Sequence, residues 1–141
     1  MSSSRKTFVI IIIAITTTGI LFTLSEQLDE NKNKILDQIY FDAIYIETDN
    51  IIEISFIDKS NNTKTVILEI LGMEETFHKE LVLTGESKFI ERVNLDYLPK
   101  YGWKTIPVII EVEHLDYGKF GLKTEIYISG DLKPKVILEE K

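Results

Sequence analysis

The chain has 141 residues, no cysteine and a formal net charge of −7. The missing thiol excludes disulfide frameworks, thiolate catalysis, cysteine acylation and type 1 copper. Arg5 and Lys6 are the only charges in residues 1–24, so the charge divides into +2 there and −9 beyond, and such an acidic domain repels the phosphates of DNA and RNA.

Residues 1–6 form a short basic flank. From Thr7 to Leu24 the chain reads TFVIIIIAITTTGILFTL, without a charge. As a helix rising about 1.5 Å per residue, this stretch is about 27 Å long, close to the hydrocarbon thickness of a bilayer. The pattern predicts a transmembrane helix over 7–24. Arg5 and Lys6 precede it, and Glu26, Asp29 and Glu30 follow it. By the positive-inside rule this places the N-terminus in the cytoplasm and the rest of the chain outside, as a single-pass protein of the cell membrane. Thr16, Gly19 and Thr23 make one side of the helix slender, a face suited to packing against another helix. A cleavable secretory signal is the competing reading, although Thr23-Leu24-Ser25 matches a small-x-small cleavage site poorly.

Residues 25–39 read as a polar stalk, in which Leu28, Ile35, Leu36 and Ile39 fall at helical spacing. From Tyr40 the period changes to two, and seven segments alternate between turn signals. They are Tyr40–Thr48, Ile51–Asp58, Thr65–Leu71, Thr76–Leu83, Ser87–Leu95, a strand beginning at Ile106, and Phe120–Ser129. Asp49-Asn50 predicts one hairpin and Thr84-Gly85-Glu86 a second. Val66, Leu68 and Ile70 share one face of the third segment. Ile106, Val108, Ile110 and Val112 face inward on the sixth, and Leu122, Ile126 and Ile128 do so on the seventh. If these last two pair, Glu111 or Glu113 lies across from Lys123. Seven strands about ten residues apart predict an antiparallel β-sandwich over 40–130. Residues 131–141 form a tail whose Val136, Ile137 and Leu138 are able to add an edge strand to this or another domain.

The stretch LDYLPKYGWKTIPVIIEVEH resembles the crossing between sheets, and the strand after it, in immunoglobulin-like and fibronectin type III domains. Leu95, Pro99 and Tyr101 or Trp103 take the places of the corner residues. The resemblance implies an immunoglobulin-like sandwich that binds proteins or glycans, or spaces other domains, and carries no fixed site.

Few residues recommend themselves as sites. His114 lies near Glu111, Glu113 and Asp116, and His78 near Glu75 and Glu80. Neither cluster has the spacing that puts metal ligands on one face, so solvated strand ends are the expectation, with no metal and no cofactor. No serine sits in an activating context, so no enzyme is expected. Asn61-Asn62-Thr63 is a glycosylation sequon in a predicted loop. Tyr97, Pro99, Tyr101 and Trp103 gather aromatics in one loop, either as an interaction surface or as a corner that plugs the core.

The function these features predict is a non-catalytic accessory subunit of a membrane complex such as an oxidase, a monooxygenase or a transporter. Its sandwich would lie on the extracytoplasmic face, and its partners would be other membrane subunits or envelope components. The alternatives are a free-standing anchored surface protein that binds an envelope component, glycan or protein, and a secreted sandwich with a cleaved signal.

Overall fold

A computed structural model of the chain describes residues 17, 23, 26–27, 30–73, 75–95, 102 and 106–139. The chain divides into two compact units, Met1–Lys34 and Ile35–Lys141. In the first, Thr17 and Thr23 are helical and exposed, as are Glu26 and Gln27. Lys34 reaches back to Glu30 at 2.8 Å, one helical turn away. Among the described residues no helix is long and apolar enough to cross a membrane. Most of the predicted span 7–24 lies outside the described residues, Thr16 and Gly19 with it.

The second unit is mainly β, with nine strands in two sheets among the described residues. In chain order they are β1 (Ile39–Ile46), β2 (Ile51–Asp58), β3 (Thr63–Ile70), β4 (Phe77–Val82), β5 (Lys88–Asn94), β6 (Pro107–His114), β7 (Gly118–Glu125), β8 (Tyr127–Ile128) and β9 (Ile137–Glu139). One sheet has the order β5-β2-β1-β8, the other β4-β3-β6-β7-β9. All pairings are antiparallel except β1 with β8.

Period-two patterning explains the layers. Val66, Leu68 and Ile70 of β3 and Val108, Ile110 and Val112 of β6 are all fully buried, as the alternation predicts. They face Phe41, Ala43, Ile52, Ile54 and Phe56 of the other sheet, which are equally enclosed. Each such large side chain contributes about 1.5–3 kcal/mol by leaving water. Phe56 stacks on Phe89 with ring centroids 5.4 Å apart, joining β2 to the edge strand β5. Helical residues 35–38 lead directly into β1, and Ile35 and Ile39 are buried in the same core. The carbonyls of Asp37 and Gln38 at the end of that helix accept from the Lys59 ammonium (2.9 Å) and the Lys59 N–H (3.1 Å).

Three expectations need correction. Thr84-Gly85-Glu86 does not close a hairpin: β4 pairs with β3 and β5 with β2, so the connection crosses between the sheets. Gly85, at φ 94°, turns the chain there, and Ser87 fastens it on arrival by donating its hydroxyl to the Thr63 carbonyl at 3.0 Å. A turn signal marks where a strand stops, not which edge receives the next one. Lys123 lies opposite Ile109, not a glutamate, whereas Glu113 faces Lys119 and Glu111 faces Gly121. A three-residue loop over 115–117, followed by Gly118 at φ 71°, sets this register. Finally, the segment expected as one strand from Phe120 to Ser129 is broken at Ile126, buried in the core, where the chain leaves one sheet and enters the other as β8. Val136 packs against the core, and Ile137 and Leu138 belong to β9, which extends this domain's own sheet.

At the open side, Lys79 of β4 and Glu91 of β5 both point inward, being paired with the inward-facing Leu68 and Ile54. Their side chains meet at 2.7 Å and link the two sheets.

Candidate functional site

Among the described residues the largest buried polar cluster joins the end of β2, the β2–β3 turn, the start of β3 and the end of β6. Register makes it: Thr63 pairs with His114, and a bulge between Thr63 and Thr65 turns this corner inward. Asp58, Thr63, Ser87 and His114 are each at most 4% exposed.

Asp58 acts as the local organiser. One carboxylate oxygen accepts from the Ser60 N–H (2.8 Å) and hydroxyl (2.7 Å). The other accepts from the Asn62 N–H, the Thr63 N–H and the Thr63 hydroxyl, each at 2.9 Å. Burial pushes this carboxyl up, but the hydrogen bonds from Ser60, Thr63 and Asn62 together outweigh it and hold Asp58 below the ordinary carboxylate value. The sequence Asp-Lys-Ser-Asn-Asn-Thr is an aspartate folding its own turn.

His114 completes a serine–histidine–aspartate set. Its Nδ1 accepts from the backbone N–H groups of Asp116 (3.0 Å) and Tyr117 (3.3 Å). With Nδ1 an acceptor, the ring hydrogen belongs on Nε2, which faces Ser60 Oγ at 3.0 Å and Asp58 Oδ2 at 3.3 Å. In a catalytic triad the nitrogen beside the serine must be free to take its proton. Here that nitrogen carries hydrogen and Ser60 gives its own proton to Asp58, so the geometry holds a turn and activates no nucleophile. The solvated strand end expected for His114 is instead a buried tether between β6 and the two turns. Tyr117, its ring tilted against that of His114 with centroids 4.7 Å apart, donates to Gln38 at the end of the helical turn.

His78 is exposed and pairs across strands with Glu69 at 2.9 Å, not with Glu75 or Glu80. Among the described residues no cluster of histidine, aspartate and glutamate is arranged to hold a metal.

A second cluster surrounds Asp42 on the outer face of the β1 sheet. Its carboxylate accepts from the hydroxyls of Tyr40 (2.9 Å) and Tyr127 (3.1 Å). The Lys133 ammonium lies 3.3 Å from the same carboxylate and 4.0 Å from the centre of the Tyr40 ring. Burial, then the Asp42 charge and its hydrogen bond, push the Tyr127 hydroxyl up to about 12. Alongside runs an open cleft of about 690 Å³ bordered by Ile126, Ile128, Leu132 and Pro134.

Asn61 sits exposed in the β2–β3 turn with φ 57°, its side-chain oxygen accepting from the Ser87 N–H at 3.2 Å. The threonine of its sequon, Thr63, is buried with its hydroxyl on Asp58. Tyr97, Pro99, Tyr101 and Trp103 lie outside the described residues, as do Thr16 and Gly19, while Thr23 is helical and exposed. Asp58, Ser60 and Asp42 are the polar residues that sequence reasoning missed. An Asp-x-Ser turn signature was available for the first two, whereas nothing local marks Asp42.

No protein-family model matches this sequence, and comparison with characterised proteins finds no relative.

Proposed function

We propose that this chain is a non-catalytic accessory subunit of a membrane complex, anchored by a single span over 7–24 and presenting its sandwich on the extracytoplasmic face. The observation that carries the non-catalytic part is the wiring of the Asp58–Ser60–His114 cluster, whose groups are committed to holding turns. The uncharged stretch Thr7–Leu24 behind Arg5 and Lys6 supports the anchor and its orientation. Strand order supports the finer reading of an immunoglobulin-like or fibronectin type III-like domain. β1, β2 and β5 stand against β4, β3, β6 and β7, and the β5–β6 crossing falls where the sequence resembles the corner of those domains.

Mild-detergent extraction from the native membrane followed by native electrophoresis tests the reading. Co-migration with other integral proteins is the expected result. Migration as a small species alone favours a free-standing surface protein and overturns the subunit. A mature N-terminus at or after Glu26, read by mass spectrometry, replaces the anchor with a cleaved signal.

A further inference from the structure

Asn61-Asn62-Thr63 is the one Asn-x-Ser/Thr sequence in the chain, and its middle residue is not proline. The fold accounts for two of its three residues. Thr63 is buried with its hydroxyl on Asp58 at 2.9 Å. Asn62 donates its N–H to Asp58 at 2.9 Å and its side-chain amide to Asp116 at 2.7 Å.

Asn61 differs. It stands exposed at φ 57°, in the left-handed region that asparagine and aspartate enter more readily than other residues with a side chain. Its N–H donates to the Asp58 carbonyl at 3.2 Å, and its side-chain oxygen accepts from the Ser87 N–H at 3.2 Å. An aspartate would supply both groups. The amide nitrogen, the group that sets asparagine apart from aspartate, has no hydrogen-bond partner among the described residues. A sugar joined to that nitrogen leaves the carbonyl oxygen in place for Ser87, so the modified chain keeps the bonds of this turn.

The sequon is read through its hydroxyl residue, and in the folded domain Thr63 is closed off. The groups that close it come late in the chain. Ser87, whose hydroxyl bonds the Thr63 carbonyl, lies 24 positions on, and His114, the strand partner of Thr63, comes later still. At roughly 5–20 residues per second of synthesis, those 24 positions alone leave the sequon open for about 1–5 s in a chain exported as it is made.

We infer that Asn61 carries an N-linked glycan, added as the chain emerges and before β3 meets β6. The donor is a lipid-linked oligosaccharide. A C–N bond forms between the amide nitrogen and the anomeric carbon of the first sugar. The bond from that carbon to the lipid phosphate oxygen breaks, the lipid phosphate leaves, and the amide loses one proton to solvent. This inference rests on the extracytoplasmic placement proposed above, because the modification is one of exported chains.

The test weighs the full chain intact after mild-detergent extraction from its native membrane, beside Asn61→Asp expressed in the same cells. That variant keeps the acceptor for Ser87 and removes the amide nitrogen. The unsubstituted chain should be heavier by at least one sugar residue, and equal masses overturn the inference. Should Asn61→Asp lose its fold, Asn61→Gly, suited to φ 57°, replaces it. A membrane-impermeant amine reagent on intact cells reads the placement separately, through lysines such as Lys119, whose side chain is 66% exposed. Equal masses with the domain labelled overturn the glycan and leave the placement standing. Equal masses with the domain unlabelled overturn both. Folded chain lacking the glycan, incubated with native membranes, should stay unmodified, and its modification there would overturn the order of events.

Discussion

Asp58 and Asp42 are both carboxylates withdrawn from water, and the sandwich accommodates them in opposite ways. Asp58 is enclosed by its own turn: four of its five partners in that turn are hydroxyls or N–H groups within five residues of it in Ser60 and Thr63, and the fifth is the Asn62 N–H. Asp42 collects Tyr127 and Lys133 from the far end of the chain, along with the neighbouring Tyr40. A local solution forms with the strand that carries it. A distant one forms only when β8 has crossed sheets and the chain beyond it has folded back.

The contrast predicts unequal costs. Asp58→Ala strands several buried donors and should destabilise the domain by about 3–5 kcal/mol, measured by urea unfolding. Asp42→Ala leaves two tyrosine hydroxyls and an ammonium with access to water and should cost about 1–2 kcal/mol. Equal losses would erase the distinction.

The two clusters should also fail at opposite ends of the pH scale. The folded-state value of Asp58 is depressed, so its contribution is present above the ordinary aspartate value near 3.9 and is lost as pH falls through the lower folded value. Tyr127 is raised to about 12, so its contribution is present below the ordinary value of 10.0 and is lost as pH rises toward the folded one. Melting temperature followed across pH should therefore show an acid loss that Asp58→Asn flattens and an alkaline loss that Tyr127→Phe flattens.

Thr124 sharpens the comparison from a third side. Its hydroxyl is buried and has neither a local nor a distant partner. Thr124→Val keeps the shape and removes the unmet polar group, so it should stabilise by about 1 kcal/mol, read from the shift in the urea midpoint. A loss would reveal a bond to the hydroxyl.

The sequence made the layers readable because β3 and β6 carry strict alternation, and Val66, Leu68, Val108 and Ile110 have no other face to bury. It did not reveal where β5 goes, since Ser87–Leu95 fits either sheet and its place is held by contacts distant in sequence: Ser87 with Thr63 and Asp58, Phe89 on Phe56 and Arg92 with Glu53. Nor did it reveal the buried cluster, because Asp58 and His114 are 56 positions apart and meet only through the β3–β6 register. The aromatic loop and the slender helix face, legible as motifs, lie outside the described residues, apart from Thr23.

The inward pair Lys79–Glu91 bears on how the chain behaves when crowded. β4 and β5 each end their sheet, with backbone groups able to recruit a foreign strand. A strand added there would have to extend the interior past two buried-facing charges and strip water from whichever it displaced. Such a pair acts as a gatekeeper against open-ended sheet growth, so growth by edge addition is disfavoured even where many copies share one surface.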